Sequence, residues 1–315
     1  MLGETLRDAH GVSSTFYLYE DESGAALIER KGFALVRLRA AGAELVPAGD
    51  ALIVVDVPGG VSRQAVEALR RRDSRRLVVL FDGMCPGRLD ADLVVSPMAR
   101  KTEASDWQGF HGRRFEGPPF AIVDRAYGGL PVRRIDSARP PRLLVSMGGA
   151  DPYGLTLQAL RAIDAMPGIF ETVVALGPAY SQEPELKAWL GEARRPYELR
   201  RDALLVPAML RADLAVTSFG TTVYELAAAG LPAIALCITP DHVEAAALFA
   251  RNGTLISAGL YSSVAPQVLV NMVHELLADP RRRMQMARAG QALVDGVGAR
   301  RVADLLVDAI NRQRG

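Results

Sequence analysis

The chain has 315 residues, of which 49% are hydrophobic and 23% charged, so its composition excludes wholesale disorder, a collagen-like repeat and a coiled coil. Thirty-seven Lys and Arg residues against 36 Asp and Glu leave a formal net charge of +1, which excludes an overall basic field for nucleic acid. Only Cys85 and Cys237 are present, so we expect two reduced core cysteines, without a disulfide framework or a zinc site.

The sequence carries no targeting or membrane-spanning signal. Residues 1–14 lack the apolar core of a signal peptide, which predicts a cytoplasmic protein. The longest apolar runs fall well below the roughly 20 residues needed to cross a bilayer. This excludes a membrane span and leaves a peripheral membrane contact open. His10, His111 and His274 have no partner at metal-ligand spacing, so we expect neither a metal nor a cofactor.

Short apolar runs alternate with stretches of helical period, which predicts an α/β protein with parallel sheets. In the first half, a helix is predicted over 62–72, where Ala65, Val66 and Leu69 share one face. The predicted strands of this half lie at 15–19, 34–38, 52–57, 77–81, 93–96 and 120–123.

Glycine, proline and charge replace apolar periodicity over 125–142, which marks a domain boundary. We therefore predict a first domain over 1–130, a linker over 131–141 and a second domain over 142–315, the domains meeting across a ligand cleft. Predicted strands of the second half lie at 143–146, 172–176, 214–217, 233–237 and 254–257. Predicted helices lie at 152–165, 184–192, 223–229 and 242–251, followed by two closing helices.

The first informative motif is a buried strand that ends in Gly148 and Gly149 and enters a helix. Asp151 is the expected N-cap of this helix and Pro152 its first residue. The two glycines let the backbone approach a ligand closely, and the helix N-terminus supplies N–H groups that suit a diphosphate. A tight turn without a ligand is the alternative.

A second strand runs into Ser218, Gly220, Thr221 and Thr222, again before a helix. In a parallel sheet this helix end faces the same edge as the first, so the two corners together predict a pyrophosphate grip. For Glu225, a capping box with Thr222 competes with hydrogen bonding to two sugar hydroxyls, and spacing alone favours the capping box.

The third candidate is Asp241 with His242, just after a buried strand. On the simpler interpretation, Asp241 caps the following helix and His242 is an exposed side chain without a ligand. The alternative is that both contact ligand, because open α/β sheets bind ligands at this edge.

Several other signals have ordinary explanations. Neither a dinucleotide-binding nor a P-loop glycine fingerprint is present. Asp90-Ala91-Asp92 precedes a strand and is expected to form a turn. The run Arg281-Arg282-Arg283 is expected to form a solvated helix face.

Three segments resemble one family: SMGGADP, SFGTTVYELAAAGLPAIAL and VDGVGARRVADLL. They are similar to the UDP-sugar hydrolase of pseudaminic acid biosynthesis and to spore-coat polysaccharide glycosyltransferase-like proteins. These proteins have the GT-B fold, two Rossmann-like domains facing each other across a cleft. The resemblance covers nearly all of the second half, and in the first half it rests on Val54-Val55-Asp56, Phe81-Asp82 and Phe120.

The resemblance implies a UDP-linked amino sugar as the partner and a hydrolase that releases UDP and a modified amino sugar. It places the reaction in nonulosonic acid or surface glycan biosynthesis, including flagellin glycosylation. A glycosyltransferase for surface polysaccharide and an inactive nucleotide-sugar-binding protein are the alternatives, because fold alone does not settle chemistry.

By the same resemblance, Gly148 and Gly149 form the first ligand-facing loop, and Gly220, Thr221 and Thr222 the diphosphate loop. Glu225 falls on the carboxylate that holds the ribose hydroxyls, which shifts the balance for Glu225 toward ligand contact. The chain departs from the family at Phe219, where a glycine is usual, at Asp241-His242, where Asn-Gln is usual, and at Ser96, often Asn.

Relatives begin with a strand and a glycine-rich loop that carries a catalytic histidine, followed by a helix. Residues 2–11 resemble the end of that helix, so we expect a sequence that is truncated or diverged at its start. His10 belongs to the helix end and does not replace the loop histidine. The catalytic base is therefore unidentified, with His242 as the candidate.

Overall fold

A computed structural model describes residues 1–19, 21–38, 52–57, 60–71, 76–81, 85–98, 104–132, 139–201 and 205–314. The strands, all in parallel pairs, are β1 Thr15–Leu18, β2 Ala34–Arg37, β3 Leu52–Val55, β4 Leu77–Phe81, β5 Leu93–Ser96, β6 Arg113–Glu116, β7 Arg142–Ser146, β8 Glu171–Ala175, β9 Glu198–Arg200, β10 Leu214–Ser218, β11 Ala233–Cys237 and β12 Leu255–Leu260. The helices are α1 Leu2–His10, α2 Glu22–Arg30, α3 Arg63–Arg71, α4 Leu155–Asp164, α5 Glu183–Leu190, α6 Val206–Arg211, α7 Thr221–Ala228, α8 Pro240–Arg251, α9 Pro266–Ala278, α10 Pro280–Leu293 and α11 Gly298–Arg314.

The chain divides into two compact units. Unit 1 comprises Met1–Ile122 together with Gly298–Gly315, and unit 2 comprises Val123–Val297. These bounds differ from the predicted ones at both ends. The sequence predicts a second domain over 142–315 that includes the last helix, whereas unit 2 starts at Val123 and ends at Val297. Unit 2 instead begins before the predicted linker, of which 133–138 lies outside the described residues. The compositional break is thus not the structural boundary.

Unit 1 holds two parallel sheets, β1-β2 and β3-β4-β5-β6. On one face of the larger sheet, Val66 and Leu69 of α3 pack against β4 and β5. On the other face, Val302 and Leu306 of α11 pack against the same strands, together with Leu6 of α1. The apolar face of α11 therefore explains its place in unit 1, and the sequence alone does not reveal which sheet it covers.

Unit 2 is a six-stranded parallel sheet with the order β12-β11-β10-β7-β8-β9. Its core is apolar on both faces, with the side chains of β10, β11 and residues 143–146 of β7 buried. Successive strands run outward from β7 to β9 in one direction and from β10 to β12 in the other. The strand order therefore reverses between β7 and β10, which is where doubly wound sheets bind their ligands.

Three sequence predictions are corrected. Residues 120–123 are not a strand: Phe120 ends the short 3-10 turn Pro118–Phe120, and no strand pairing is assigned to 121–123. The two prolines just before Phe120 cannot donate to a ladder, so they do not lead the chain into a strand. The fourth strand of the larger unit 1 sheet is instead β6, Arg-Arg-Phe-Glu, at the edge of the sheet. Its polar residues form no apolar pattern that would predict a strand. Three helices close the chain where two were predicted.

Candidate functional site

The two predicted corners lie side by side at the point where the strand order reverses. Ser146 of β7 pairs with Thr217 of β10, so the loops that follow leave adjacent strands at the same edge. The Ser218 hydroxyl donates a hydrogen bond of 3.1 Å to the carbonyl of Met147 and joins the two loops. The predicted convergence of these corners is confirmed.

The N-terminus of α7 is open. The helix begins at Thr221, and Gly220 is its N-cap, with no side-chain hydrogen bond to the cap. The predicted capping box is therefore wrong: Thr222 is the second helical residue, and a box with Glu225 requires Thr222 at the cap. An uncapped N-terminus presents unsatisfied N–H groups and a partial positive charge, a suitable site for an anion.

The N-terminus of α4, in contrast, is closed by a side chain. The Asp151 carboxylate accepts hydrogen bonds of 2.8 Å from the backbone N–H groups of Leu155 and Thr156. Asp151 is buried, and its φ of 46° lies in the left-handed region, four residues before α4 begins at Leu155. The prediction that Pro152 starts this helix is wrong. The expected pair of free helix ends is therefore reduced to one, that of α7.

The glycine loop after β7 packs against Gly177, which lies in the loop after β8. A β-carbon on Gly177 would overlap the carbonyl oxygens of Gly148 and Gly149, so only glycine fits where the β8 loop supports the β7 loop. Gly148 has a φ of 80°, which an L side chain rarely adopts. Gly149 faces open space, since nothing lies within 4 Å of the position of its β-carbon. This loop leaves room for a ligand at Gly149.

Glu225 lies one turn into α7, on the same helix face as Thr221 and Thr222. Burial raises its pKa from 4.5 to about 7, and the negative charge of Asp124 adds to the increase. Among the described residues no salt bridge to Glu225 is found. A partly buried carboxylate without a cationic partner is suited to accept hydrogen bonds from neutral hydroxyl groups.

Asp124 is the site residue that the sequence did not reveal. Its carboxylate caps the short turn Arg125–Tyr127 by accepting from the N–H of Ala126 at 2.9 Å. Tyr127 of this turn is buried, and its hydroxyl donates to the sulfur of Met209 at 3.3 Å. The negative charge of Asp124 contributes to the raised pKa of Glu225, so this turn carries a second carboxylate that acts electrostatically on Glu225. It falls at the start of the predicted boundary, where no periodic pattern points to it.

The third candidate pair, Asp241 and His242, lies in the first turn of α8, and His242 contacts Phe219 of the second loop. Helix α8 begins at Pro240, and the Thr239 hydroxyl caps it by accepting from the N–H of His242 at 3.3 Å. The prediction that Asp241 caps this helix is therefore wrong, and Asp241 is exposed. The His242 ring lies 5.6 Å from the Phe219 ring, centroid to centroid. This contact brings His242 beside the residue that precedes Gly220.

The other motifs have structural roles. Asp90 forms a bidentate pair with Arg63, and Asp92 accepts from Arg70 and from the N–H of Val78. Within the described ranges, no group of three or more His, Cys, Asp or Glu side chains could hold a metal ion. None of the helices in the described part of the chain is long and apolar enough to cross a membrane.

No protein-family model matches the chain. It is 24% identical over 265 residues to the spore coat polysaccharide biosynthesis protein SpsG of Bacillus subtilis, covering 83% of this chain and 78% of that protein. It is 27% identical over 274 residues to the UDP-N-acetylglucosamine–N-acetylmuramyl-(pentapeptide) pyrophosphoryl-undecaprenol N-acetylglucosamine transferase of Xanthomonas axonopodis. That match covers 78% of this chain and 63% of the transferase.

Solved structures share the fold over almost the whole chain. MurG of Acinetobacter baumannii matches 98% of this chain and 94% of its own, with a TM-score of 0.66 and 14% identity. HepE of Anabaena, solved in complex with UDP-glucose, matches 93% of this chain and 91% of its own, with a TM-score of 0.59 and 13% identity. The chain therefore has the fold of GT-B glycosyltransferases.

Proposed function

We propose that the chain uses a UDP-sugar donor and transfers its sugar to an acceptor in polysaccharide biosynthesis. The observation that carries this proposal is the open N-terminus of α7, beside Glu225 and at the point where the strand order reverses. The names of the relatives support it, since they describe a polysaccharide biosynthesis protein and an N-acetylglucosamine transferase.

In this proposal each residue of the site has one task. The N–H groups at Gly220, Thr221 and Thr222 bind the diphosphate, and Gly148 and Gly149 let the backbone approach it. The ionised carboxylate of Glu225 accepts hydrogen bonds from two ribose hydroxyls. Ser218 fixes the spacing of the two loops through its bond to Met147. Asp241 and His242 complete the ligand-facing edge.

This arrangement favours the departure of UDP. When the bond from the anomeric carbon to the diphosphate breaks, negative charge develops on the diphosphate oxygens. Fixed N–H donors and the dipole of α7 stabilise that charge without reorganisation at the moment of reaction. The buried carboxylate of Asp151 at α4 would repel the same charge, so the proposal assigns the diphosphate to α7 alone.

Transfer replaces hydrolysis as the main proposal, because neither relative is named as a hydrolase. The expectation of a pseudaminic-type amino sugar stays a prediction from the sequence resemblance. We further propose that unit 2 binds the donor and that unit 1 supplies the acceptor-binding residues. The catalytic base is unidentified, and His242 binds the ligand.

The test is incubation with a panel of UDP-sugars, including UDP-amino sugars, with and without polysaccharide acceptors. UDP release and sugar products are followed by mass spectrometry. Transfer predicts UDP release that depends on the acceptor, with the sugar attached to it. Release of free sugar without an acceptor would instead identify a hydrolase, and binding without turnover an inactive protein. A melting profile unchanged by millimolar UDP would refute the donor site itself.

A further inference from the structure

Four aromatic side chains connect the two helices that carry the proposed ligand contacts. Tyr224 of α7 contacts Phe249 of α8 edge to face at 5.1 Å between ring centroids. Phe249 contacts Phe219 at 5.9 Å, also edge to face, and Phe219 contacts His242 at 5.6 Å. Such contacts favour defined ring orientations, beyond the burial of apolar area. The series links Tyr224, the neighbour of Glu225, to the first turn of α8.

Phe219 is the member of this series that belongs to the loop itself. Its side chain is only 2% exposed, and its N–H donates to the carbonyl of Leu236 on β11 at 2.8 Å. Backbone and ring are therefore both fixed. The residue lies between Ser218, which joins the two loops, and Gly220, the N-cap of α7. A ring held here limits where the His242 imidazole can lie.

We propose that Phe219 is a positioning residue, whose ring holds the His242 imidazole beside the N-terminus of α7 so that it contacts the phosphates of the bound nucleotide. This inference rests on the proposed function. An imidazole N–H directed at a phosphate oxygen forms a charge-assisted hydrogen bond when the ring is protonated. Phe219 itself touches no ligand in this arrangement, and it acts only through His242.

The placement is tested first without ligand. The chain has four histidines, so comparison with the His242→Ala variant identifies the His242 ring signals in an NMR spectrum. In the wild-type protein we expect these signals to be displaced by the ring current of Phe219. In Phe219→Leu we expect the displacement to disappear, and in Phe219→Tyr to persist. Unchanged His242 signals in Phe219→Leu would overturn the proposal.

The function of the placement is tested by a double-mutant cycle with UDP and uridine as probes. We expect Phe219→Leu and His242→Ala each to weaken UDP binding by about tenfold, with uridine binding changed less than about twofold. The double variant should bind UDP no more weakly than His242→Ala alone. Additive losses, or equal losses for uridine and UDP, would show a merely structural role for Phe219.

Leu276→Ala is the control for general destabilisation, because Leu276 is fully buried in α9 and lies outside the aromatic series. It should lower the melting temperature and leave the preference for UDP over uridine unchanged. If it reduces that preference as Phe219→Leu does, the proposal is refuted. Wild-type protein that binds no UDP at all would refute the proposed function, and the NMR result would still report separately on the placement of His242.

Discussion

Replacing Glu225 by glutamine should stabilise the protein at pH 8 and abolish its protection by UDP. The carboxylate is partly buried near Asp124, so its pKa is raised from 4.5 to about 7. The folded state binds this proton more tightly than the unfolded state does, so protonation of Glu225 stabilises the fold. This stabilisation is complete below pH 4.5 and is lost as the pH rises through 7. Each pKa unit corresponds to about 1.4 kcal/mol, so the loss reaches about 3 kcal/mol.

Glutamine has the shape of the protonated side chain and never ionises. We therefore expect Glu225→Gln to match the wild type near pH 4.5 and to exceed its unfolding free energy by about 3 kcal/mol at pH 8. In a domain of this size each kcal/mol corresponds to about 2–4 °C in melting temperature. The amide cannot accept two ribose hydroxyls as a carboxylate does, so millimolar UDP should no longer raise the melting temperature.

The assay is thermal unfolding from pH 4.5 to 8.5, with and without UDP, following the transition that UDP shifts in the wild type. Glu192→Gln is the matched control, since Glu192 is exposed, and it should change neither quantity. A variant that melts with the wild type at every pH would refute the assignment of a destabilised carboxylate. Retained protection by UDP would refute its contact with the ribose.

Three further predictions concern the two loops. Thr221→Asp places a negative charge in the first turn of α7, so it should stabilise the helix by about 0.3–1 kcal/mol. The same charge should weaken UDP binding, measured by calorimetry, at least about tenfold. Unchanged binding would place the phosphates elsewhere. Asp151→Ala removes two hydrogen bonds at α4 and should lower the unfolding free energy by about 1–2 kcal/mol without weakening UDP binding, and a weaker complex would return α4 to the site. Gly149→Ala should fold normally and bind UDP more weakly, because the added β-carbon points into open space. Gly177→Ala should lose stability even without ligand, because its β-carbon would overlap the carbonyls of Gly148 and Gly149. Equal melting temperatures for the two variants would contradict this packing of the loops.

The apolar periodicity of the sequence was sufficient to predict most of the elements and the convergence of the two glycine loops. The strands of unit 2 that are buried on both faces, such as β10 and β11, are continuous apolar runs and were predicted within about one residue. The predictions failed where a boundary depends on side-chain hydrogen bonds. The start of α4 is mispredicted because Asp151 accepts from N–H groups four and five residues further on, instead of capping a helix that begins at Pro152. The capping of α7 is mispredicted because the helix begins at Thr221, one residue too early for Thr222 to be its cap.

Contacts between side chains of one element and groups of another also cannot be predicted from the sequence pattern. Arg283 lies in a run of three arginines that predicts a solvated face, yet it is buried and donates to the carbonyls of Leu276 and Leu277 at the end of α9. Asp124 influences Glu225 across about 100 residues of chain. Such pairs carry no local period, because the partner lies in a different element.

The place of α11 in unit 1 has a consequence for the order in which the protein can fold during its synthesis. Unit 2 is one continuous stretch and emerges complete from the ribosome once Val297 has left the exit tunnel. The sheet face formed by Val79 and Val95 must wait for Val302 and Leu306, which are translated more than 200 residues later. The nascent first half therefore keeps part of this apolar face uncovered through most of translation, and exposed apolar surface of this kind promotes aggregation until α11 is made.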